Sequence, residues 1–390
     1  MRAVAIIGAA FGDEGKGLMT DFFADESSIV VRHNGGAQAG HTVCAPSGPR
    51  HVFSHIGAGS LRGAATYLSE SFIVNPTMFE AERIQLDRIG VSPKVFYHPG
   101  ARMTTPFDVL LNQQLEIRRG GGRHGSCGMG INETVVRCET EFKTFAYRLP
   151  FEPAFDLQLR KIYRKWVPER MRQLGMPNLQ LPHPAETIIK ACMANTECFQ
   201  QRCTVAPAGI LREFKTVIFE GAQGLLLDEQ HRFFPHVTRS RTGLTNVVPM
   251  AMGLGVDELT VVYVLRTYMT RHGAGPFPTE CDAKADDRTN KPNKWQGSLR
   301  IGHLDAPLIS EAINNDLTAW RDSPIPIRPC LAITHTDESI GSTSESPHEL
   351  VSKIEQLTGL HVGITSNGPT RDDVSIEDPN IEKWLEKSAA

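Results

Sequence analysis

Residues 3–17 read AVAIIGAAFGDEGKG, an apolar run that passes directly into a glycine-rich loop. The continuous apolar run Ala3–Ile7 predicts a strand that is buried on both faces, as in a parallel sheet. In the loop Gly8–Gly17, glycines let the backbone approach oxyanions closely, so that successive N–H groups can bind phosphate, and Lys16 adds a positive charge. The stretch therefore predicts a phosphate-binding loop at the carboxyl end of a strand.

This loop differs from the standard P-loop pattern GxxxxGK[ST]. Six residues separate Gly8 from Gly15 where the pattern has four, and Gly17 stands where a hydroxyl group would bind Mg²⁺. Asp13 lies inside the loop, and phosphate would repel its carboxylate unless a cation intervened or the carboxylate handled a proton. The acidic residue indicates chemistry beyond phosphate binding.

Similar apolar runs alternate with helical patterns along the chain. The runs typical of strands are Ala3–Ile7, Ile29–Val31, Phe72–Val74, Thr216–Phe219, Leu259–Val264 and Cys330–Thr334, and the helical patterns are Thr77–Ile89, Pro106–Arg118 and Pro307–Asn315. The alternation predicts an α/β fold with a P-loop-like, mostly parallel central sheet flanked by helices. We expect a single domain over residues 1–390, with a helical insertion at about 140–205 that caps the site. Residues 372–390 are interpreted as a polar, peripheral tail with a short helix at Ile381–Lys387.

Composition excludes several classes of function. The net charge of −3 argues against a nucleic-acid-binding surface. No stretch approaches the roughly 18 apolar residues of a membrane span, and the amino terminus does not resemble a signal peptide. The eight cysteines are scattered without a CxxC pair, which is typical of reduced thiols in a cytoplasmic protein.

Three further glycine-containing motifs follow predicted strands. The segment Asn34–Val43 reads NGGAQAGHTV, and its His41 is a candidate for acid–base work. The segment Phe219–Asp228 reads FEGAQGLLLD, and the amide of Gln223 could recognise a base edge. A Gly/Pro-rich loop spans Thr270–Glu280. The other histidines considered are interpreted as structural: His33, His55, His231, His236 and His272.

Together these motifs resemble the adenylosuccinate synthetase family. The resemblance rests on Gly12–Gly17, Asn34–Val43, Phe219–Asp228 with Pro235–Thr238, and Gly273–Glu280, which occur in the family's order and spacing. It covers most of residues 1–380. It implies a carbon–nitrogen ligase that phosphorylates the 6-oxo group of a purine nucleotide and then displaces the phosphate with the amine of L-aspartate.

The resemblance also implies roles for single residues. Asp13 removes the proton from purine N1 and binds Mg²⁺ together with the carbonyl of Gly40, while His41 and Lys16 act on the phosphates. For the purine monophosphate it implies Asp13, Asn34, Ser126, Arg137, Gln223 and Thr238. For the nucleoside triphosphate it implies Gly12, Gly15, Lys16, Gly17, Gly40, His41, Thr42, Asp337, Ser366, Gly368 and Pro369.

The phosphoryl donor and the assembly follow from the same resemblance. The segment Leu331–Asp337 resembles the family segment whose aspartate recognises guanine of GTP, which places Asp337 on the donor base. Because His335 replaces a lysine there, ATP remains an alternative to GTP as the phosphoryl donor. The family forms a homodimer in which a partner arginine reaches the nucleotide phosphate, and Arg137 is the nearest equivalent. Beyond these small molecules we expect neither nucleic acid nor membrane as a partner.

Two loops depart from the family pattern. The segment His124–Ile131 replaces one phosphate loop, with Ser126 as a phosphate ligand. The aspartate-binding loop is Trp295–Asp305, which keeps Arg300 but has Ser298 and Leu299 in place of two arginines, one of which contacts the ribose 2′-OH.

These departures resemble the viral branch of the family, which would act in the host cytoplasm. That branch makes 2-amino-2′-deoxyadenylosuccinate from dGMP and L-aspartate. An adenylosuccinate synthetase that acts on IMP with GTP is the alternative, and a non-catalytic purine nucleotide-binding switch is the alternative from another class.

Overall fold

The computed structural model describes residues 1–149, 152–176, 180–283, 290, 295–338 and 347–389. The strands are β1 (Arg2–Gly8), β2 (Ser28–Arg32), β3 (His41–Cys44), β4 (Arg50–Phe53), β5 (Ala65–Leu68), β6 (Ile73–Val74), β7 (Val95–Tyr97), β8 (Arg102–Met103), β9 (Cys203–Val205), β10 (Thr216–Gly224), β11 (Leu259–Arg266), β12 (Tyr268–Arg271), β13 (Glu280–Cys281), β14 (Arg300–His303), β15 (Ile327–Thr334), β16 (Val362–Ser366) and β17 (Val374–Ile376). The α-helices are α1 (Lys16–Phe23), α2 (Pro76–Arg88), α3 (Pro106–Arg119), α4 (Ile131–Cys138), α5 (Glu152–Lys161), α6 (Val167–Gln173), α7 (Ala185–Arg202), α8 (Val247–Leu254), α9 (Ala306–Thr318), α10 (Pro347–Thr358) and α11 (Pro379–Ala389).

The predicted α/β fold with a mostly parallel sheet is confirmed. The described strands include a 10-stranded sheet in the order β17–β16–β15–β11–β1–β10–β2–β5–β7–β9. Neighbouring strands run parallel, except that β17 is antiparallel to β16. Strand β1 lies between β10 and β11, and the chain then continues to β2 on the far side of β10. The carboxyl ends of these strands therefore border a crevice of the kind where α/β proteins bind ligands.

Burial of β1 on both faces explains its continuous apolar sequence. Ala3, Ala5 and Ile7 belong to the large core on one face of the sheet. Val4 and Ile6 pack on the other face, in a cluster that includes residues of α1. Both layers therefore fix the direction in which β1 delivers the glycine-rich loop.

Two smaller sheets lie beside the main sheet and carry residues of the candidate site. The antiparallel hairpin of β3 and β4 begins with His41. The strands β12, β14 and β13 form a three-stranded antiparallel sheet. This second sheet contains Arg271, Glu280 and Arg300.

The prediction that the helical insertion at about residues 140–205 caps the site is wrong. Helices α5 and α7, together with Trp166, bury Phe155, Leu159 and Phe199 in a cluster shared with α2 and α3. None of the described residues between 140 and 205 lines the cleft set out below. The apolar faces of these helices are used against α2 and α3 rather than over the site.

Two smaller differences concern the ends of predicted elements. The run Phe72–Val74 yields only the two-residue strand β6, which pairs with β8 outside the main sheet. The predicted tail helix is present as α11, and Trp384 packs on Phe23 with ring centroids 5.2 Å apart. The tail is therefore docked on α1, while Ala390 lies outside the described residues. No described helix is long and apolar enough to cross a membrane.

Candidate active site

A cleft of about 1200 Å³ opens where β1, β2, β10 and β11 end. Ligand pockets commonly measure about 300–1,000 Å³, so this cleft has room for more than one small substrate. It is lined by fourteen of the predicted site residues: Gly12, Asp13, Gly15, Lys16, Gly17, Gly40, His41, Thr42, Ser126, Gln223, Thr238, Asp337, Gly368 and Pro369.

Glu14 shapes the glycine-rich loop, a role that the sequence did not reveal. Its Oε1 accepts hydrogen bonds from the backbone N–H groups of Ala10 at 3.1 Å and Gly12 at 2.7 Å. Its Oε2 forms a buried ion pair with the Lys16 ammonium. A Cβ at Gly8 would lie 2.5 Å from Glu14 Oε2, so glycine is required for this carboxylate to fold back over the loop. Glu14 thereby holds Lys16 in place and balances its charge.

Close backbone packing explains why the loop lacks the P-loop hydroxyl. A Cβ at Gly17 would lie 2.7 Å from the carbonyl oxygen of Thr42. The hairpin β3–β4 therefore occupies the space that a serine or threonine side chain would need. As a result, His41 and Thr42 lie against the amino terminus of α1, where backbone N–H groups favour anions.

Asp13 is an ionised carboxylate at the floor of the cleft. The residue adopts a left-handed conformation with φ of 62°, and its Oδ2 lies 3.0 Å from Nε2 of His272. Burial raises the pKa of Asp13, but the hydrogen bond and charge of His272, with Arg266 and Lys16, outweigh burial and lower this pKa to about 2. His272 is thus part of the site, and its interpretation as a structural residue is wrong.

His41 is oriented by a buried carboxylate. Its Nδ1 lies 2.6 Å from Oε1 of Glu220, whose Oε2 accepts hydrogen bonds from Arg32 at 3.2 Å and from the N–H of Ala58 at 3.1 Å. Burial lowers the pKa of His41, while Glu220 opposes that shift. Since Nδ1 is occupied, Nε2 is the ring nitrogen available to a ligand in the cleft. Glu220 is the glutamate of the EGAQG segment, so its sequence position was the signal for this role.

Asn34 does not have the predicted ligand role, because its side chain supports the end of β10. Its Nδ2 donates to the carbonyl of Ala222 at 2.9 Å, and its Oδ1 accepts from the N–H of Ala222 at 2.7 Å. The residue is fully buried. Gln38 lines the cleft instead, and its amide oxygen and nitrogen are buried without a hydrogen-bond partner among the described residues. Gln38 is therefore an amide that sequence reasoning missed.

Arg137 is not placed to reach a partner subunit. Its guanidinium is fully buried and donates to both carboxylate oxygens of Asp108 at 2.8 Å. It also donates to the carbonyls of Met103 and Phe142 at 2.8 Å. The side chain ties α4 to α3, and the prediction that it binds a phosphate is wrong.

Ser366 is likewise internal. It is buried, and its Oγ donates to the carbonyl of Gly368 at 2.9 Å. The hydroxyl therefore shapes the turn that presents Gly368 and Pro369 to the cleft near Asp337.

The predicted aspartate-binding residues are absent from the described lining of the cleft. Arg300 donates through Nε and Nη2 to Glu280 at 2.7 and 2.5 Å, and through Nη1 to the carbonyls of Gly273 and Gly275 at 3.1 and 3.0 Å. Ser298 is exposed. The cation that does line the cleft beside this loop is Arg271.

The site fits a magnesium ion held partly by substrate. The described residues contain no group of three or more His, Cys, Asp and Glu side chains that could hold a metal ion. Mg²⁺ commonly binds one or two carboxylates and completes its coordination with substrate phosphates and water. Asp13 offers an ionised carboxylate, and Gly40 is exposed in the same cleft with its backbone carbonyl. These hard oxygen donors suit Mg²⁺.

Comparisons with known proteins identify the family. The sequence model of the adenylosuccinate synthetase family matches residues 5–319. The adenylosuccinate synthetase of Clostridium beijerinckii is 32% identical over 427 residues, covering 95% of this chain and 98% of that protein. The enzyme of Xylella fastidiosa strain M12 is 27% identical over 437 residues, covering 97% and 99%.

Two solved structures share the fold. The fully ligated adenylosuccinate synthetase of Plasmodium falciparum superposes with a TM-score of 0.74 at 18% identity, covering 97% of this chain and 100% of that one. The succinoaminodeoxyadenylate synthetase of cyanophage S-2L, bound to dGMP and to dATP as energy donor, gives a TM-score of 0.62 at 16% identity, covering 99% of each chain. With the family match over most of its length, this chain belongs to the adenylosuccinate synthetase family of carbon–nitrogen ligases.

Proposed function

We propose that this ligase joins L-aspartate to C6 of dGMP, forming 2-amino-2′-deoxyadenylosuccinate with ATP or GTP as the phosphoryl donor. The observation that carries the proposal is the pair Ser298 and Leu299, neutral residues where the family pattern has two arginines, one of which contacts the ribose 2′-OH. A deoxynucleotide leaves no buried hydroxyl without a partner, which would cost about 1–3 kcal/mol. The dGMP named for the cyanophage enzyme supports the same choice.

In the first step, the carboxylate of Asp13 accepts the proton of purine N1 while O6 attacks the γ-phosphorus. The O6–P bond forms and the bond from phosphorus to the diphosphate breaks, giving a 6-phosphoryl nucleotide and ADP or GDP. Asp13 lines the cleft as an ionised carboxylate, and because a carboxylate with a pKa of about 2 is a weak base, its uptake of the proton is coupled to the attack of O6. Gln223, in a left-handed conformation with φ of 65°, presents its amide to the 6-oxo edge.

Charge on the transferred phosphoryl group is met by His41 and Lys16. His41 directs Nε2 at the oxygen that bridges the β- and γ-phosphates, because Glu220 holds Nδ1. Lys16, held by Glu14, supplies a fixed positive charge beside the loop N–H groups. Such preorganised donors usually supply most of the rate enhancement in phosphoryl transfer. Mg²⁺ bound by Asp13 and the carbonyl of Gly40 would neutralise phosphate charge.

In the second step, the amine of L-aspartate attacks C6. The C6–N bond forms, the C6–O6 bond breaks, and the leaving phosphate takes up the proton that the amine loses, which releases inorganic phosphate. The reaction therefore consumes one triphosphate and releases one phosphate for each aspartate joined. Release of phosphate that depends on both aspartate and the purine nucleotide separates this ligase from a nucleotide switch, which would hydrolyse the triphosphate without aspartate.

IMP with GTP is the second candidate substrate pair. It is favoured by the 32% identity to the Clostridium beijerinckii adenylosuccinate synthetase and by Asp337 in the cleft, a residue suited to guanine of GTP. The test is a steady-state comparison of IMP, GMP, dIMP and dGMP, each with L-aspartate and either ATP or GTP. We expect dGMP to give the highest kcat/KM. A higher kcat/KM for IMP would overturn the dGMP proposal while leaving the ligase chemistry intact.

A further inference from the structure

Arg271 is a buried cation that forms no ion pair with the described residues, and Glu280 is the acidic residue whose charge acts on it. It is 1% exposed, yet its Nε and Nη1 have no hydrogen-bond partner among the described residues. Ion pairs are present for many arginines in the described part of the chain, but none involves Arg271. Burying an unpaired charge costs free energy. A residue of this kind is therefore expected to bind an anion when the substrates are present.

The surroundings of Arg271 hold the guanidinium at the wall of the cleft. Its Nη2 donates to the carbonyls of His236 at 2.8 Å and Ala274 at 3.1 Å. The guanidinium carbon lies 4.4 Å from the ring centroid of Phe11. Burial and the nearby charge of Arg300 lower the pKa of Arg271 to about 10, which keeps the side chain charged at neutral pH. Two donor groups of a fixed, charged fork are therefore left for a ligand.

Nearby acidic groups are already engaged. Glu280 is paired with Arg300, and Asp13 is hydrogen-bonded to His272. Since neither of these carboxylates pairs with Arg271, we consider the substrates as the source of its anion. The substrates of the ligase offer two kinds: the phosphates of the nucleotides and the carboxylates of L-aspartate.

The position of Arg271 favours a carboxylate of L-aspartate over a nucleotide phosphate as its ligand. The amine of aspartate must attack C6, the atom next to the N1 that Asp13 deprotonates, so its binding residue has to lie close to Asp13. Arg271 precedes His272, the hydrogen-bond partner of Asp13, and Thr270 on the same strand donates to the carbonyl of Gly12 at 3.2 Å. The 5′-phosphate of the purine nucleotide lies across the base and sugar from N1. Arg300 already uses four of its five N–H groups on Glu280, Gly273 and Gly275, and Ser298 is neutral, so Arg271 is the better candidate for this role.

We infer that Arg271 binds a carboxylate of the L-aspartate substrate through its free Nε and Nη1. This inference rests on the use of L-aspartate in the proposed function but is independent of which purine nucleotide is used. Arg271 is then the cation that replaces those missing from the loop around Ser298.

The test compares Arg271→Met, Arg271→Lys and the control Arg232→Met in the full chain. Like Arg271, Arg232 lies near the ring of Phe233. Arg232, however, is exposed and forms an ion pair with Glu311 on the surface. Apparent KM values for L-aspartate, the purine nucleotide and the triphosphate are measured with the purine nucleotide that the wild type uses best. We expect Arg271→Met to raise the aspartate KM by about tenfold or more, with both nucleotide KM values within about twofold, and Arg271→Lys to restore part of the loss. Arg232→Met should match the wild type.

Three outcomes would overturn the inference. An unchanged aspartate KM in Arg271→Met removes the carboxylate contact. A rise confined to the purine nucleotide KM assigns Arg271 to the 5′-phosphate instead. A parallel rise in all three KM values with a lower melting temperature assigns it to loop structure. If Arg271→Met does not fold, Arg271→Lys decides, because loss of the fork should still raise the aspartate KM several-fold. If the wild type prefers a purine nucleotide other than dGMP, that result overturns only the dGMP proposal and leaves the inference about Arg271 intact.

Discussion

Asp13 depends on its neighbours to remain charged within a phosphate-binding loop. His272, Arg266 and Lys16 outweigh the effect of burial and lower the pKa of this carboxyl group to about 2. Asp13→Asn keeps the shape of the side chain but cannot accept a proton or neutralise a cation. We expect kcat to fall by about 10³-fold or more in a phosphate-release assay, with an unchanged circular dichroism spectrum. Asp322→Asn, on an exposed loop, is the matched control. Activity of Asp13→Asn near that of the control would contradict the proposed role as base.

Glu220 links the site to the stability of the fold. Burial raises the pKa of Glu220, but Arg32 and His41 outweigh it and lower this pKa from 4.5 to about 2. Because the folded-state pKa is depressed, the ionised carboxylate contributes stability fully above pH 4.5, and this contribution is lost as pH falls toward 2. Glu220→Gln leaves Arg32 buried and unpaired, at a cost on the order of 3 kcal/mol at neutral pH.

Urea unfolding of the wild type and Glu220→Gln at several pH values measures this linkage. We expect the difference in the free energy of unfolding between the two proteins to shrink as pH is lowered from about 5 to about 3. A difference that stays constant over this range would show that the charge of Glu220 does not stabilise the fold.

Sequence alone could identify residues that lie inside the glycine-containing motifs. Asp13 follows β1, His41 begins β3 and Gln223 lies at the end of β10, and all three line the cleft. His272, Arg271 and Glu14 were missed because their roles come from contacts that only the folded chain makes. Arg137 was misassigned for the same reason, since its pairing with Asp108 depends on how α4 packs on α3.

At the level of elements, the loop after β1 depends on its fit against the end of β10. A Cβ at Gly224 would lie 2.2 Å from the carbonyl oxygen of Ala10 and 2.6 Å from Oε1 of Glu14. Gly224→Ala should therefore separate the two segments, destabilise the protein by about 1–3 kcal/mol and sharply reduce kcat. The control is Gly253→Ala in α8, where a Cβ meets nothing within 4 Å. It should be neutral or stabilising by up to about 1 kcal/mol.

Chemical denaturation and phosphate-release assays of the two glycine variants provide the check. Equal stability and activity in Gly224→Ala and Gly253→Ala would contradict the close approach of β10 to the loop.

Five interior strands were predictable from their apolar runs, whereas the interior strands β5, β7 and β16 and the edge strands were not. The interior strands β1, β2, β10, β11 and β15 each contain a predicted apolar run. Edge strands β9 and β17 were missed because each has only three residues, with the polar Thr204 or Ser375 in the middle. The helical character of residues 140–205 was correct, but an apolar helix face does not specify its packing partner, and the expected cap was therefore wrong.

For the whole molecule, the cleft exists only when distant parts of the chain meet. Its described lining extends from Phe11 to Pro369. The net charge is −3, yet Arg266 and Arg271 place positive charge at the cleft, which suits the anionic substrates of the proposed reaction. Truncation of either end is thus expected to remove the site along with the fold.

A homodimer is the predicted assembly. The resemblance to the family implies it, although Arg137 does not supply the contact between subunits. Light scattering coupled to size-exclusion chromatography should give twice the chain mass of 43.0 kDa at micromolar concentration. A mass of one chain at concentrations where the protein is active would contradict this prediction.

The central claim, that this ligase activates the 6-oxo group of dGMP for attack by L-aspartate, is tested most directly by competition. Equal concentrations of dGMP and IMP are mixed with L-aspartate, Mg²⁺ and ATP, and separately with GTP. The initial ratio of the two succinylated products is measured by mass spectrometry, and it equals the ratio of the kcat/KM values. We predict that 2-amino-2′-deoxyadenylosuccinate is the main product with at least one donor. Predominance of adenylosuccinate with both donors would contradict the claim.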